Sequence, residues 1–160
     1  MRPTSDLHAV ARREGIIVRY YELPDEYDGY YLHLERPPIP HIIINKRIVD
    51  DVVRFRATYS HELGHHFTLG GALLSAARSE YTRILHSKWE AAAERWAINF
   101  MVRPCDLLSL LKKGYPTWEI AEKLLVPEQW VVDRIKRLQG VSARGAFQET
   151  REQRSTHCQG

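Results

Sequence analysis

Long apolar runs are missing from this chain. None of its 160 residues lies in a hydrophobic stretch approaching the ~20 residues that a membrane-crossing helix requires, so no helical membrane span is expected. Cysteine is scarce too. Cys105 and Cys158 are the only two, which excludes a four-thiolate metal cage and a disulfide framework. Charge of one sign is also in short supply: the formal net charge is +3, too slight to argue for a nucleic-acid partner from composition. Met1 to Asp6 lack the basic-then-apolar pattern of a secretory leader, and a cytoplasmic location is expected. No internal repeat is visible.

What is present suits a globular protein. The chain is 44% hydrophobic and 27% charged, enough apolar material to bury a core at this length. Residues 5–14 read as a short helix capped by Asp6, striped by Leu7, Val10 and Ala11, and stopped by Gly15. Three β-rich segments follow, Ile16 to Tyr21, Gly29 to Leu34 and His41 to Asn45, separated at Pro24-Asp25 and Pro37-Pro38. They predict a small three-stranded antiparallel sheet. Ile42-Ile43-Ile44 is apolar on both faces, which predicts a strand covered by a helix.

From about Asp50 to Leu69 the pattern is helical, with Gly70-Gly71 as its end. Residues 72–86 are ambiguous and helical only in part. Ser87 is expected to begin a second long helix through Met101, and Pro104 a third that Gly114 stops. Two short helices, Thr117 to Leu125 and Pro127 to Leu138, complete the ordered chain. The expected division is a main domain over 1–114, a helix-turn-helix-like appendage over 115–140 and a disordered polar tail over 141–160.

The chemistry is concentrated in His61-Glu62-Leu63-Gly64-His65-His66. In a helix, positions four apart share a face, so His61 and His65 can grip one ion. Glu62 is rotated about 100° from His61, close enough to reach a water on that ion without ligating it. A catalytic zinc site takes three protein ligands and keeps one position open. The best third ligand is Glu90, in Trp89-Glu90-Ala91-Ala92-Ala93-Glu94-Arg95-Trp96, where small alanines permit close approach of two helices.

Glu94, on the same face as Glu90, is expected to hydrogen-bond the far nitrogen of His61 or His65. Two alternatives stand beside these assignments. Ser87-x-x-Glu90 is also a capping box, in which Glu90 would merely close a helix start, and Glu94 could be an exposed helical charge. Gly64 inside the helix costs about 1 kcal/mol relative to Ala and could admit another backbone to the site. Tyr81 and His86 lie between the ligand helices, where either could stabilise an oxyanion; Tyr59 and Tyr115 are weaker candidates. His66, pointing away from its neighbour, is expected to pack or face solvent.

These residues resemble the ImmA/IrrE metallopeptidases. The likeness runs through Glu14-Gly15-Ile16-Ile17-Val18, Gly29-Tyr30-Tyr31, Ile42-Ile43-Ile44-Asn45, Arg54-Phe55, His61-Glu62-Leu63-Gly64-His65 and Glu90-x-x-Ala93-Glu94-Arg95-Trp96-Ala97. It continues through Pro104 to Trp118-Glu119-Ile120-Ala121-Glu122 and Val126-Pro127-Glu128, covering about residues 5–138. Glu94 departs from the Asn or Asp usual in that family, and Met101-Val102-Arg103 from its usual apolar run. The resemblance implies an α+β, zincin-like domain whose sheet packs on an active-site helix, followed by a helical C-terminal region. It implies a zinc metalloendopeptidase with His61, His65 and Glu90 on Zn2+ and Glu62 as general base. It also implies a helix-turn-helix repressor of a mobile element or stress regulon as substrate.

A rival reading is a DNA-binding regulator whose zinc is structural. Residues 120–131 resemble a helix-turn-helix, with Gln129 able to read a base and Arg134, Lys136 and Arg137 able to touch phosphate. Leu125 occupies the turn where Gly is preferred, and Glu128 opens the second helix where a groove-reading residue would be expected. Direct nucleic-acid binding is therefore not the favoured expectation.

Overall fold

The computed structural model describes residues 2–33, 39–69 and 80–140, without the side chains of 69 and 80–86. Gly70-Gly71, residues 72–79, Pro37-Pro38 and the tail after Gly140 lie outside the described residues. The order of elements is α1 (Thr4–Arg13), β1 (Ile17–Tyr21), β2 (Gly29–His33), β3 (Pro40–Asn45), a 3-10 turn (Lys46–Ile48), α2 (Val52–Leu69), α3 (Glu80–Met101), α4 (Pro104–Lys112) and α5 (Thr117–Leu124). A last helix, α6, spans residues 128–140. The class is α+β, with helices dominating. No helix among the described residues is long and apolar enough to cross a membrane.

The sheet is mixed, not antiparallel. Its order is β1-β3-β2, with β1 parallel to β3 (Val18 opposite Ile42) and β2 antiparallel to it (Tyr31 opposite Ile42). The chain leaving β1 crosses the end of the sheet to the far edge before returning through β3. β1 therefore meets β3 running the same way. Hydrophobic alternation specifies the face a side chain takes but carries no information on strand direction. β3 is the central strand, and α2 packs over it, the helix cover that its apolar run predicts. Ile42 and Ile44 are fully buried with Tyr59 and Leu63 of α2 in one core, each aliphatic chain contributing about 1.5–3 kcal/mol.

Local signals fix most helix ends. α1 begins at Thr4 with Pro3 as its cap, so Asp6 lies in its first turn and does not cap it; there its carboxylate suits the helix dipole. Gly15 adopts φ +67° and lets the Ile16 N–H reach the Ala11 carbonyl, a left-handed helix stop. Asp51 caps α2, its Oδ1 accepting from the Arg54 N–H at 3.0 Å. α3 is already helical at Glu80. Ser87 is therefore interior, and the capping-box alternative for Glu90 falls away.

The buried cluster does not stop at Gly114. Ile120, Leu124, Val126, Trp130 and Val131 join the same core as Leu63 and Ile98. Arg56 of α2 bolts this region in place. Its side chain is 1% exposed and donates to the carbonyls of Leu124, Leu125 and Arg2 and to Thr4 Oγ1. Leu125 sits at φ 53°, a conformation costing a non-glycine residue about 1–2 kcal/mol. The two Arg56 bonds to the end of α5 offset that strain.

Candidate metal centre

α2 and α3 carry the centre between them. One donor atom from each of His61, His65 and Glu90 lies within 4.8 Å of the other two. Glu90 spans both rings, with Oε2 at 3.0 Å from His61 Nε2 and Oε1 at 3.4 Å from His65 Nε2. Ligands on a tetrahedral zinc with bonds near 2.0–2.1 Å are separated by about 3.3 Å, so these spacings suit such an ion. Two imidazoles and one carboxylate form a familiar catalytic zinc donor set. The three residues are positioned to hold a metal ion.

The close approach of the two helices depends on Gly64. A methyl group there would lie 2.4 Å from the Ala93 carbonyl oxygen, so any side chain would force α2 and α3 apart. Ala93 belongs to the turn that presents Glu90. The sequence reading of Gly64 as a gap admitting a second backbone describes this contact.

Electrostatics knit the site together. Hydrogen bonds from His61 and His65 outweigh burial and hold the Glu90 carboxyl far below its ordinary range. Burial pulls the His61 ring down, but its hydrogen bond to Glu90 and the fields of Glu62, Glu90 and Glu94 outweigh it and raise the ring. Glu62 is 6% exposed, and burial pushes its carboxyl up against the pull of both histidines. The backbone N–H of Tyr31 in β2 also draws it down.

Tyr31 grips α2 a second time. Its hydroxyl is hydrogen-bonded to His66 Nδ1 at 3.0 Å, and His66 Nε2 lies 3.8 Å from Glu14. His66 thus packs, with a partner the sequence did not reveal. Glu94 is exposed and hydrogen-bonds neither imidazole among the described residues; only its field reaches His61. His65 Nδ1 is buried with no hydrogen-bond partner among the described residues. Tyr59 is wholly buried against His8, their polar atoms 3.3 Å apart. Tyr115 lies under the Lys123 ammonium. The side chains of Tyr81 and His86 lie outside the described residues.

A cavity of about 320 Å³ opens beside His61 and Glu62, lined also by Glu26, Tyr27, Asp28, Gly29, Ala57, Thr58 and Trp130. The loop on one side is pinned by Asn45, which donates to the Leu23 and Tyr27 carbonyls and caps the 3-10 turn. Arg54 and Arg47 hold both oxygens of Asp28. None of these supports announced itself in the sequence, because an isolated Asn or Arg reads as surface. In α6, two of the four groups expected to touch DNA have side-chain partners within the protein. Arg134 donates to the Val102 carbonyl and to Asn99, and Gln129 to Asp133.

A helix bearing two histidines and a buried glutamate, met by a carboxylate from a second helix and backed by a small sheet, is the arrangement of a metallopeptidase. The family model described as the IrrE N-terminal-like domain, peptidase family M78, matches residues 11–136. The chain belongs to that family. A comparison with curated proteins gives no match.

Proposed function

We propose that the protein is a zinc-dependent metalloendopeptidase that acts in the cytoplasm and cuts a helix-turn-helix transcriptional repressor. The observation that carries the enzymatic reading is the convergence of His61, His65 and Glu90 donor atoms within 4.8 Å beside a nearly enclosed Glu62. A zinc ion bound there would polarise the scissile carbonyl and acidify a water toward neutrality. Glu62 takes the proton of the attacking water and delivers it to the leaving amine. Glu62 is buried beside both imidazoles, where that exchange takes place. An extended substrate segment pairs with the outer edge of β2, giving recognition through the backbone. The repressor as substrate class rests on the family resemblance.

Metal analysis and co-expression test this reading. The purified protein should carry about one zinc per chain under non-chelating conditions. Expressed with the repressor encoded by a neighbouring gene, it should shorten that repressor. Glu62→Gln should keep zinc and abolish cutting, and His65→Ala should lose the metal. A zinc content near zero, or an intact repressor beside zinc-loaded protein, would overturn the proposal.

A further inference from the structure

We propose that the cavity beside Glu62 receives a bulky apolar side chain of the substrate residue flanking the bond to be cut, and that Trp130 sets this preference. The inference rests on the peptidase reading above and adds the substrate's chemistry. The cavity touches both His61 and Glu62, so a side chain seated in it belongs to a residue next to the reacting carbonyl. At about 320 Å³ it lies at the lower end of ligand pockets, about 300–1,000 Å³, and suits one side chain.

Trp130, Ala57 and Gly29 give it apolar surface. The Trp130 indole, anchored in the core by α6, forms one wall, and the Tyr27 ring stands on the exposed turn before β2. Ala57 and Gly29 are small and leave room beside them. Gly29 is small of necessity, since a methyl group there would meet the Ile43 carbonyl at 2.8 Å and the Thr58 methyl at 2.9 Å.

Charge argues against a cationic occupant. Both Asp28 oxygens are held by Arg54 and Arg47, and Glu26 stands on an exposed turn at the rim. Glu62 is committed to the reaction. A Lys or Arg entering would shed water without a buried carboxylate to compensate, which is unfavourable. A Leu, Met, Phe or Trp would gain from the same desolvation. The wall is supplied by the helix that resembles a DNA reader, so that helix acts in substrate selection.

The test uses zinc-loaded full-length protein and a library of unstructured peptides randomised at every position, with cut sites identified by mass spectrometry. Cutting beside Leu, Met, Phe or Trp should exceed cutting beside Ala by about tenfold or more in kcat/KM. Trp130→Ala should relax this selectivity and Trp130→Phe preserve most of it. Because Trp130 also packs in the core, Ala57→Leu provides a second route: it fills the cavity from α2 and should turn the preference toward Gly, Ala and Ser. Cutting indifferent to side-chain size, a preference for Lys or Arg, or an unaltered preference in Ala57→Leu would overturn the inference and leave the peptidase reading standing. Failure of the zinc-loaded protein to cut any peptide would overturn both.

Discussion

The α-carbon of Gly64 faces the carbonyl oxygen of Ala93 so closely that an added methyl group would sit 2.4 Å from it. That contact sets the spacing between the histidine pair and Glu90. Gly64→Ala gains about 1 kcal/mol of helix propensity but overpacks a backbone contact, at a cost of about 1–3 kcal/mol or more. The overpacking should win. Urea unfolding should show a net loss of stability, and a competition assay should show zinc affinity lowered about tenfold or more as α2 and α3 separate. Unchanged affinity would mean that the helix spacing is not set at Gly64.

Glu90→Gln preserves size and removes the negative charge. Zinc affinity should fall by more than the ~10–100-fold lost when an outer partner of a metal site is deleted, because an anionic ligand goes. The same substitution should lower the His61 pKa in metal-free protein, since the Glu90 hydrogen bond and charge help to raise it. Proton NMR titration of the imidazole reads this directly. An unmoved His61 titration would contradict the assigned contact.

Arg56→Met should destabilise the fold by about 3 kcal/mol or more, because the carbonyls of Leu124, Leu125 and Arg2 would lose a charged donor in the interior. Arg56→Lys should recover only part of the loss, since an ammonium cannot reproduce the guanidinium fork. Denaturant midpoints of the three proteins provide the comparison. A fully stable Lys variant would show that charge alone suffices.

Burial pushes the Asp28 carboxyl up, but hydrogen bonds and charge from Arg54 and Arg47 outweigh it and hold it below the ordinary carboxylate range. A carboxyl so depressed stabilises the folded state above its unfolded pKa, and the contribution is lost as pH falls through the folded value. Asp28→Asn should therefore be less stable than the parent near neutrality. The gap should close in acid, below both values, as urea midpoints measured across pH would show. A gap independent of pH would assign the loss to packing instead.

The fold and the site were legible to different depths. His61, Glu62 and His65 are spaced four or fewer residues apart, so helical geometry alone places them together, and the alanine-flanked Glu90 supplies a natural third donor. Strand direction was not legible, because β1 pairs with β3 across an intervening strand and alternation is blind to polarity. The Ser87 start failed because a capping box matches any Ser and Glu at the right interval, including inside a longer helix. Arg56 and Asn45 gave no warning: their partners are main-chain oxygens contributed by segments distant in sequence. Glu94 shares a helical face with Glu90, yet sharing a face does not guarantee reach, and it stays in solvent.

The backbone group that draws the Glu62 carboxyl down belongs to the main chain of Tyr31, so exchanging the tyrosine ring for another side chain leaves the amide in place. Only proline at that position would delete the donor outright. The ring of Tyr31 can therefore change, with its His66 contact, while the main-chain influence on Glu62 persists. In this respect the surroundings of Glu62 are buffered against mutation by the strand's covalent geometry.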